Sequence, residues 1–240
     1  MAAREPILNV PRAVMLSAAA IIVMQLVLHV LPPKPSLGVF LSLAMIPDRY
    51  TGAASELPGG YVSAVTSFVT YMVVHGGWLH LVVKVRWMLA FGTAIARRVS
   101  MAGFFQFSIL CGIAGARTHR VLYWGEMSPM VGASAAISGQ MAAALRFIFS
   151  ARGGQHGQMP DFEHVPLASL NETLRDGRAI GFIIFWLVLN AYLGMSGASF
   201  GTGPDSRIAW EAHIGGFLCG LLTFGYFDTA RPAPDISQLR

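Results

Sequence analysis

Charge is scarce in this 240-residue chain: Asp, Glu, Lys and Arg together make up 12% of it, against 54% hydrophobic residues. A soluble domain carries about a quarter charged residues, so the deficit argues against a water-solvated surface and for lipid. Cysteine is nearly absent as well. Cys111 and Cys219 both fall inside apolar runs, which reads as two small buried side chains and excludes a disulfide framework or a Cys-based zinc site. No His-Glu-x-x-His is present, which excludes the usual membrane zinc protease. No pair of acidic residues lies in the apolar runs for an aspartyl mechanism, and phosphate-cradling Gly-rich loops are missing. The net charge is +5, yet the arginines are scattered singly and form no basic face, so nucleic acid is not a partner. Internal repeats of the transporter kind are also lacking.

What is present is a series of apolar runs. A bilayer core of about 30 Å needs roughly 20 helical residues. Such runs lie near 13–31, 79–97, 99–118, 131–149, 179–196 and 208–227. They predict an all-α polytopic membrane protein of six transmembrane helices, forming a single membrane domain over 1–240. The first run is bounded by Arg12 and by Pro32-Pro33. No cleavage site follows it, so it reads as a membrane helix rather than a signal peptide. With the N-terminus inside, ten basic residues fall on inner segments (Arg4, Arg12, Arg97 and Arg98 among them). Five fall on outer ones, namely Lys34, Arg49, Arg117, Arg120 and Arg207. Both termini are therefore expected inside, a pattern that suits a bacterial inner membrane. The long outer segment 32–78 includes an apolar stretch, Leu37 to Ile46, too short to span and expected to lie at the interface. The inner loop 150–178 carries no recognisable chemistry.

Three chemically competent side chains share one depth. His80 lies in the first turn of the second span, Ser134 in the first turn of the fourth, and His213 about five residues into the sixth. All three spans run inward, so at 1.5 Å per residue each side chain sits within roughly 10 Å of the outer end. Small residues four apart, Gly139 and Ala143 in one span and Ala212, Gly216 and Gly220 in the other, permit close helix packing. Contact between those faces brings Ser134 and His213 within reach. A serine hydroxyl needs a base, and histidine is the usual one. Acyl transfer also needs oxyanion donors, which the first turn of the fourth span offers as unpaired N–H groups. His80 and Lys84, four residues apart on one helix face, add side-chain donors. No acidic partner for His213 is evident at this depth, so a dyad is expected.

At these residues the chain resembles the rhomboid family, and the likeness spans nearly all of it. Gly132-Ala133-Ser134 matches the Gly-x-Ser core of the fourth helix, and Ala212-His213-Ile214-Gly215-Gly216 matches the Ala-His-x-x-Gly of the sixth. His75-Gly76-Gly77-Trp78-Leu79-His80, leading to Phe91-Gly92, matches the His-rich second helix. The resemblance implies an intramembrane serine endopeptidase. Ser134 would be its nucleophile and His213 its base, with an oxyanion and substrate-binding site around His80, Lys84 and Gly132. It also implies no metal or organic cofactor, single-span membrane proteins as substrates, and access gated by the fifth helix with the loop Ser196 to Ser206. Two positions depart from the pattern: Lys84 stands where active members usually have asparagine, and Ala135 where glycine often follows the serine. Lys84 motivates the alternative reading, an inactive rhomboid-like pseudoprotease that binds transmembrane helices. Ser138 is expected to pack helices, His29 to make a helix contact, and Phe182, Phe185 and Trp186 to be either gate or lipid-facing residues.

Overall fold

The computed structural model describes residues 10–149, 164–196 and 208–229, and among these no β-strand occurs. The first helix, α1 (Arg12–Val30), starts directly after Pro11 and stops where Leu31 turns extended ahead of Pro32; prolines cannot continue a helix from within. The second, α2 (Pro33–Leu43), covers the short apolar stretch of the outer segment. A third, α3 (Gly60–Thr70), was not foreseen. Its pattern is inverted: Ser63 and Ser67 are buried against the protein, while Tyr61, Val62 and Val65 are each more than 70% exposed. Such a face suits contact with lipid.

The helix α4 (Trp78–Trp87) runs through a π-helical turn, Met88–Gly92, into α5 (Thr93–Ala96). Single π turns inside α-helices often mark functional sites. Next come α6 (Met101–Leu122), capped by Ser100, and α7 (Ser134–Ile148). They are followed by a short α8 (Leu170–Thr173), then α9 (Gly177–Met195) and α10 (Trp210–Thr223). Among the described residues, three segments are long and apolar enough to cross a membrane: Arg12–Val30, Trp78–Ala96 and Gly177–Met195.

Every residue from Ala135 to Phe147 of α7 is buried. A helix enclosed all round lies at the centre of its bundle, and α7 packs chiefly on α10 and α6. Its alanines and glycines let backbones touch. A Cβ at Gly220 would stand 2.5 Å from the Gly139 Cα, and one at Gly115 would stand 2.7 Å from the Ala212 carbonyl oxygen. Outside this trio, α1, α4 and α9 expose large apolar side chains such as Val30, Phe185 and Met195.

Several charges counted as loop residues are structural. Arg49 is buried and donates to the carbonyl oxygens of Leu41 and Pro58 at 2.8 and 2.9 Å, tying the end of α2 to the outer segment. Arg120 stacks over Tyr50 and Trp124, with its guanidinium carbon 4.2 and 4.9 Å from the ring centroids. On the opposite end, Arg98 pairs with Asp228 at 2.7 Å and lies over the Phe147 ring.

Candidate functional site

The segment ahead of α7 is anchored before the helix begins. Met130 and Met45 exchange both backbone hydrogen bonds, at 2.8 and 3.0 Å. The Gly132 N–H then donates to the Tyr71 carbonyl at 2.9 Å, and the Tyr71 hydroxyl donates to the Gly112 carbonyl on α6. Gly132 has φ of 109°, a region that favours glycine. A Cβ there would also meet the His80 ring, 2.9 Å from Cε1 and 3.1 Å from Nε2. The chain thus enters α7 with Ser134 as its first helical residue. Because the Gly132 amide is given to Tyr71, Gly132 shapes this turn, and the unpaired N–H groups are those of the first turn from Ser134 onward.

Ser134, His213, His80 and Lys84 all line one cavity of about 530 Å³, bounded by α4, α7, α9, α10 and the 123–131 connection. Gly132 stands beside it against His80. Ser138 also lines the wall, while Trp186 and Asn190 reach it from α9. Of the aromatic trio on α9, Trp186 stacks on Phe217 with centroids 4.5 Å apart, whereas Phe185 faces outward. The expected gate loop, Ser196 to Ser206, lies almost wholly outside the described residues, as does the 150–163 part of the inner loop. His29 is exposed and meets Trp78 edge to face at 5.9 Å.

Hydrogen bonds assign the tautomers. The Asn190 amide nitrogen donates to the Trp186 carbonyl at 3.0 Å, so its oxygen is turned to His213 Nδ1, 2.7 Å away. An amide oxygen only accepts. His213 therefore carries its proton on Nδ1 and keeps the Nε2 lone pair free. For His80, the Gly76 N–H points at Nδ1 from 3.4 Å, which leaves the proton on Nε2, the nitrogen on the Gly132 side of the ring. One ring is arranged to accept a proton and the other to donate a hydrogen bond.

Sequence reading missed two partners here. Asn190 was passed over, though a lone amide inside an apolar run is itself a signal. Glu211 was overlooked as an acid at the depth of His213. It is buried and bonded to His119 Nδ1 at 2.6 Å, so it is not the partner of His213. Lys84 lines the cavity with no hydrogen bond or ion pair among the described residues, and Arg86 is exposed on the outer face of α4.

Taken together, the fold and this cavity define a helical membrane protein with serine and histidine side chains set in a largely apolar pocket among its central helices. Compared with known families, residues 62–228 match the rhomboid domain. That is well over half of the chain, and the protein belongs to the rhomboid family, whose members are integral to membranes. No curated protein matches the chain. Membership carries the coarse reading, intramembrane protease or inactive relative, and leaves the choice between them to the chemistry of the site.

Proposed function

We infer that the chain is a serine endopeptidase that cuts single-span membrane proteins near the outer face of the bilayer. The observation that carries this reading is the single cavity that both Ser134 and His213 line, with the His213 tautomer held by Asn190. The His213 Nε2 lone pair takes the Ser134 proton as Oγ attacks the scissile carbonyl. Negative charge then develops on the carbonyl oxygen, where the first-turn N–H groups of α7 and the His80 Nε2–H stabilise it. Lys84, one turn below His80, adds positive charge to the same region. Collapse of the tetrahedral species breaks the C–N bond, and His213 passes its proton to the departing amine. Water, activated by His213 in turn, then hydrolyses the acyl ester. No step calls for a cofactor.

The accompanying topology is six crossings, by α1, α4–α5, α6, α7, α9 and α10, with both termini inside and the site opening outward. The arginine distribution supports this orientation and a bacterial inner membrane. Cleavage of a model single-span substrate in proteoliposomes, compared with Ser134→Ala, tests the reading. Loss of cleavage in the mutant supports it, and equal cleavage by both overturns it.

One observation favours a second reading. Lys84 occupies the cavity where active members usually have asparagine, and a pseudoprotease that only binds transmembrane helices accounts for that exchange. Silence of the unmodified chain in the same assay, with cleavage gained by Lys84→Asn, selects this second reading.

A further inference from the structure

The cavity charges do not balance. Two carboxylates reach its wall. Glu211 is taken by His119 at 2.6 Å, and Glu126 is exposed on the connection at the outer rim. Deeper in, Lys84 has no ion pair and no hydrogen bond among the described residues, and its Nζ is absent from the fully enclosed polar atoms. Its ammonium thus faces open cavity space. The remaining walls are largely apolar, with Val83, Ile137, Met141 and Leu189 among them. A cation in such surroundings is costly to keep without an opposite charge, and the walls around it supply none.

We propose that Lys84 is a recognition site for an acidic side chain in the bound transmembrane segment, so that the chain selects substrates with an Asp or Glu close to the bond presented to Ser134. The position follows from the helix. Lys84 lies four residues, about 6 Å, inward of His80 on α4, and His80 touches the turn that leads into Ser134. A segment laid along the cavity with one peptide group at Ser134 therefore brings to Lys84 a residue within about one helical turn on the inner side. A carboxylate there neutralises the ammonium and is itself neutralised. An amide of the same shape leaves the ammonium unpaired, and an apolar residue does the same. Discrimination comes from the charge that one partner leaves buried when the other is missing.

The inference rests on the reading of single-span proteins as partners, and its test separates the two. Ser134→Ala protein is placed in phosphatidylcholine vesicles, which offer no competing carboxylate. Dye-labelled single-span peptides carry one Asp stepped through the outer half of the span, each matched with its Asn counterpart, and binding is read by fluorescence anisotropy. The expected result is a binding preference for Asp of tenfold or more at one or two neighbouring positions, lost in Lys84→Asn and kept in Lys84→Arg. Equal binding of Asp and Asn peptides at every position overturns the proposal, as does a preference that survives Lys84→Asn, or failure of every peptide to bind. Cleavage of the same peptides by the unmodified chain is scored apart. Cleavage with no Asp preference sinks this inference alone, whereas an Asp preference without cleavage sinks the peptidase reading alone.

Discussion

Replacing Gly216 with alanine tests whether backbone contact between α7 and α10 holds the site together. A Cβ at Gly216 would collide with the Ala135 carbonyl oxygen and stand 2.7 Å from its carbon and 3.0 Å from its Cα. Ordinary carbon contacts begin near 3.5 Å, so the helices must part by about 1 Å. No rotamer change relieves the clash, because the three nearest obstacles are all backbone atoms. Overpacking usually costs about 1–3 kcal/mol, and this case belongs at the upper end, near 3 kcal/mol. The strain falls between Ser134, the neighbour of Ala135, and His213, one turn before Gly216. A misplacement of 1 Å costs on the order of a hundredfold in rate. Gly181→Ala on α9 is the control: nothing lies within 4 Å of its Cβ position, and alanine in a helix gains about 0.5–1 kcal/mol over glycine. Chemical unfolding in detergent and cleavage of a membrane substrate are measured on both variants. The reasoning fails if Gly216→Ala matches Gly181→Ala in stability and rate.

Asn190→Leu removes the acceptor from His213 Nδ1 at similar volume, and cleavage is expected to fall roughly ten- to hundredfold, from about 1–3 kcal/mol for an unsatisfied buried group; an unchanged kcat with only KM altered would refute the role. Asp228→Ala strips Arg98 of its 2.7 Å partner. Breaking a buried pair costs about 3–5 kcal/mol, and the lower end applies because Arg98 still donates to the Val165 carbonyl; denaturant titration reads the change. Asp176 caps α9, accepting from the Arg178 and Ala179 amides and pairing with the Arg178 guanidinium. Arg178, through these bonds, holds the Asp176 carboxyl well below the usual carboxylate range. A depressed folded-state value means stability present at neutral pH and lost as pH falls through that range and below it. The unfolding-temperature gap between the unmodified protein and Asp176→Asn should therefore shrink on acidification, and a widening gap would contradict the cap.

The helices were legible because long apolar runs leave few alternatives, although only three of the six expected crossings are long and apolar enough to span a membrane among the described residues. Their ends shifted by a few residues where caps decided them, as at Ser100 and Asp176. The convergence of Ser134, His80 and His213 was legible because helix rise turns sequence position into depth. What lay off that axis was not. The helix α3 escaped because its apolar face points out and its serines point in, the reverse of the pattern for a soluble surface helix. Asn190 and Glu211 were hidden by the rotation of α9 and α10 about their own axes, which residue spacing does not fix between separate helices. Arg49 and Arg120 read as loop charges because a sequence does not show which carbonyls or rings will surround a guanidinium.

The most direct test of the central claim, that His213 activates Ser134 as a nucleophile, is labelling by a fluorophosphonate followed by mass mapping of the modified peptide. The account predicts a single adduct on Ser134, absent in Ser134→Ala and in His213→Ala. A folded protein that stays unlabelled at Ser134, or that labels equally well without His213, would contradict it.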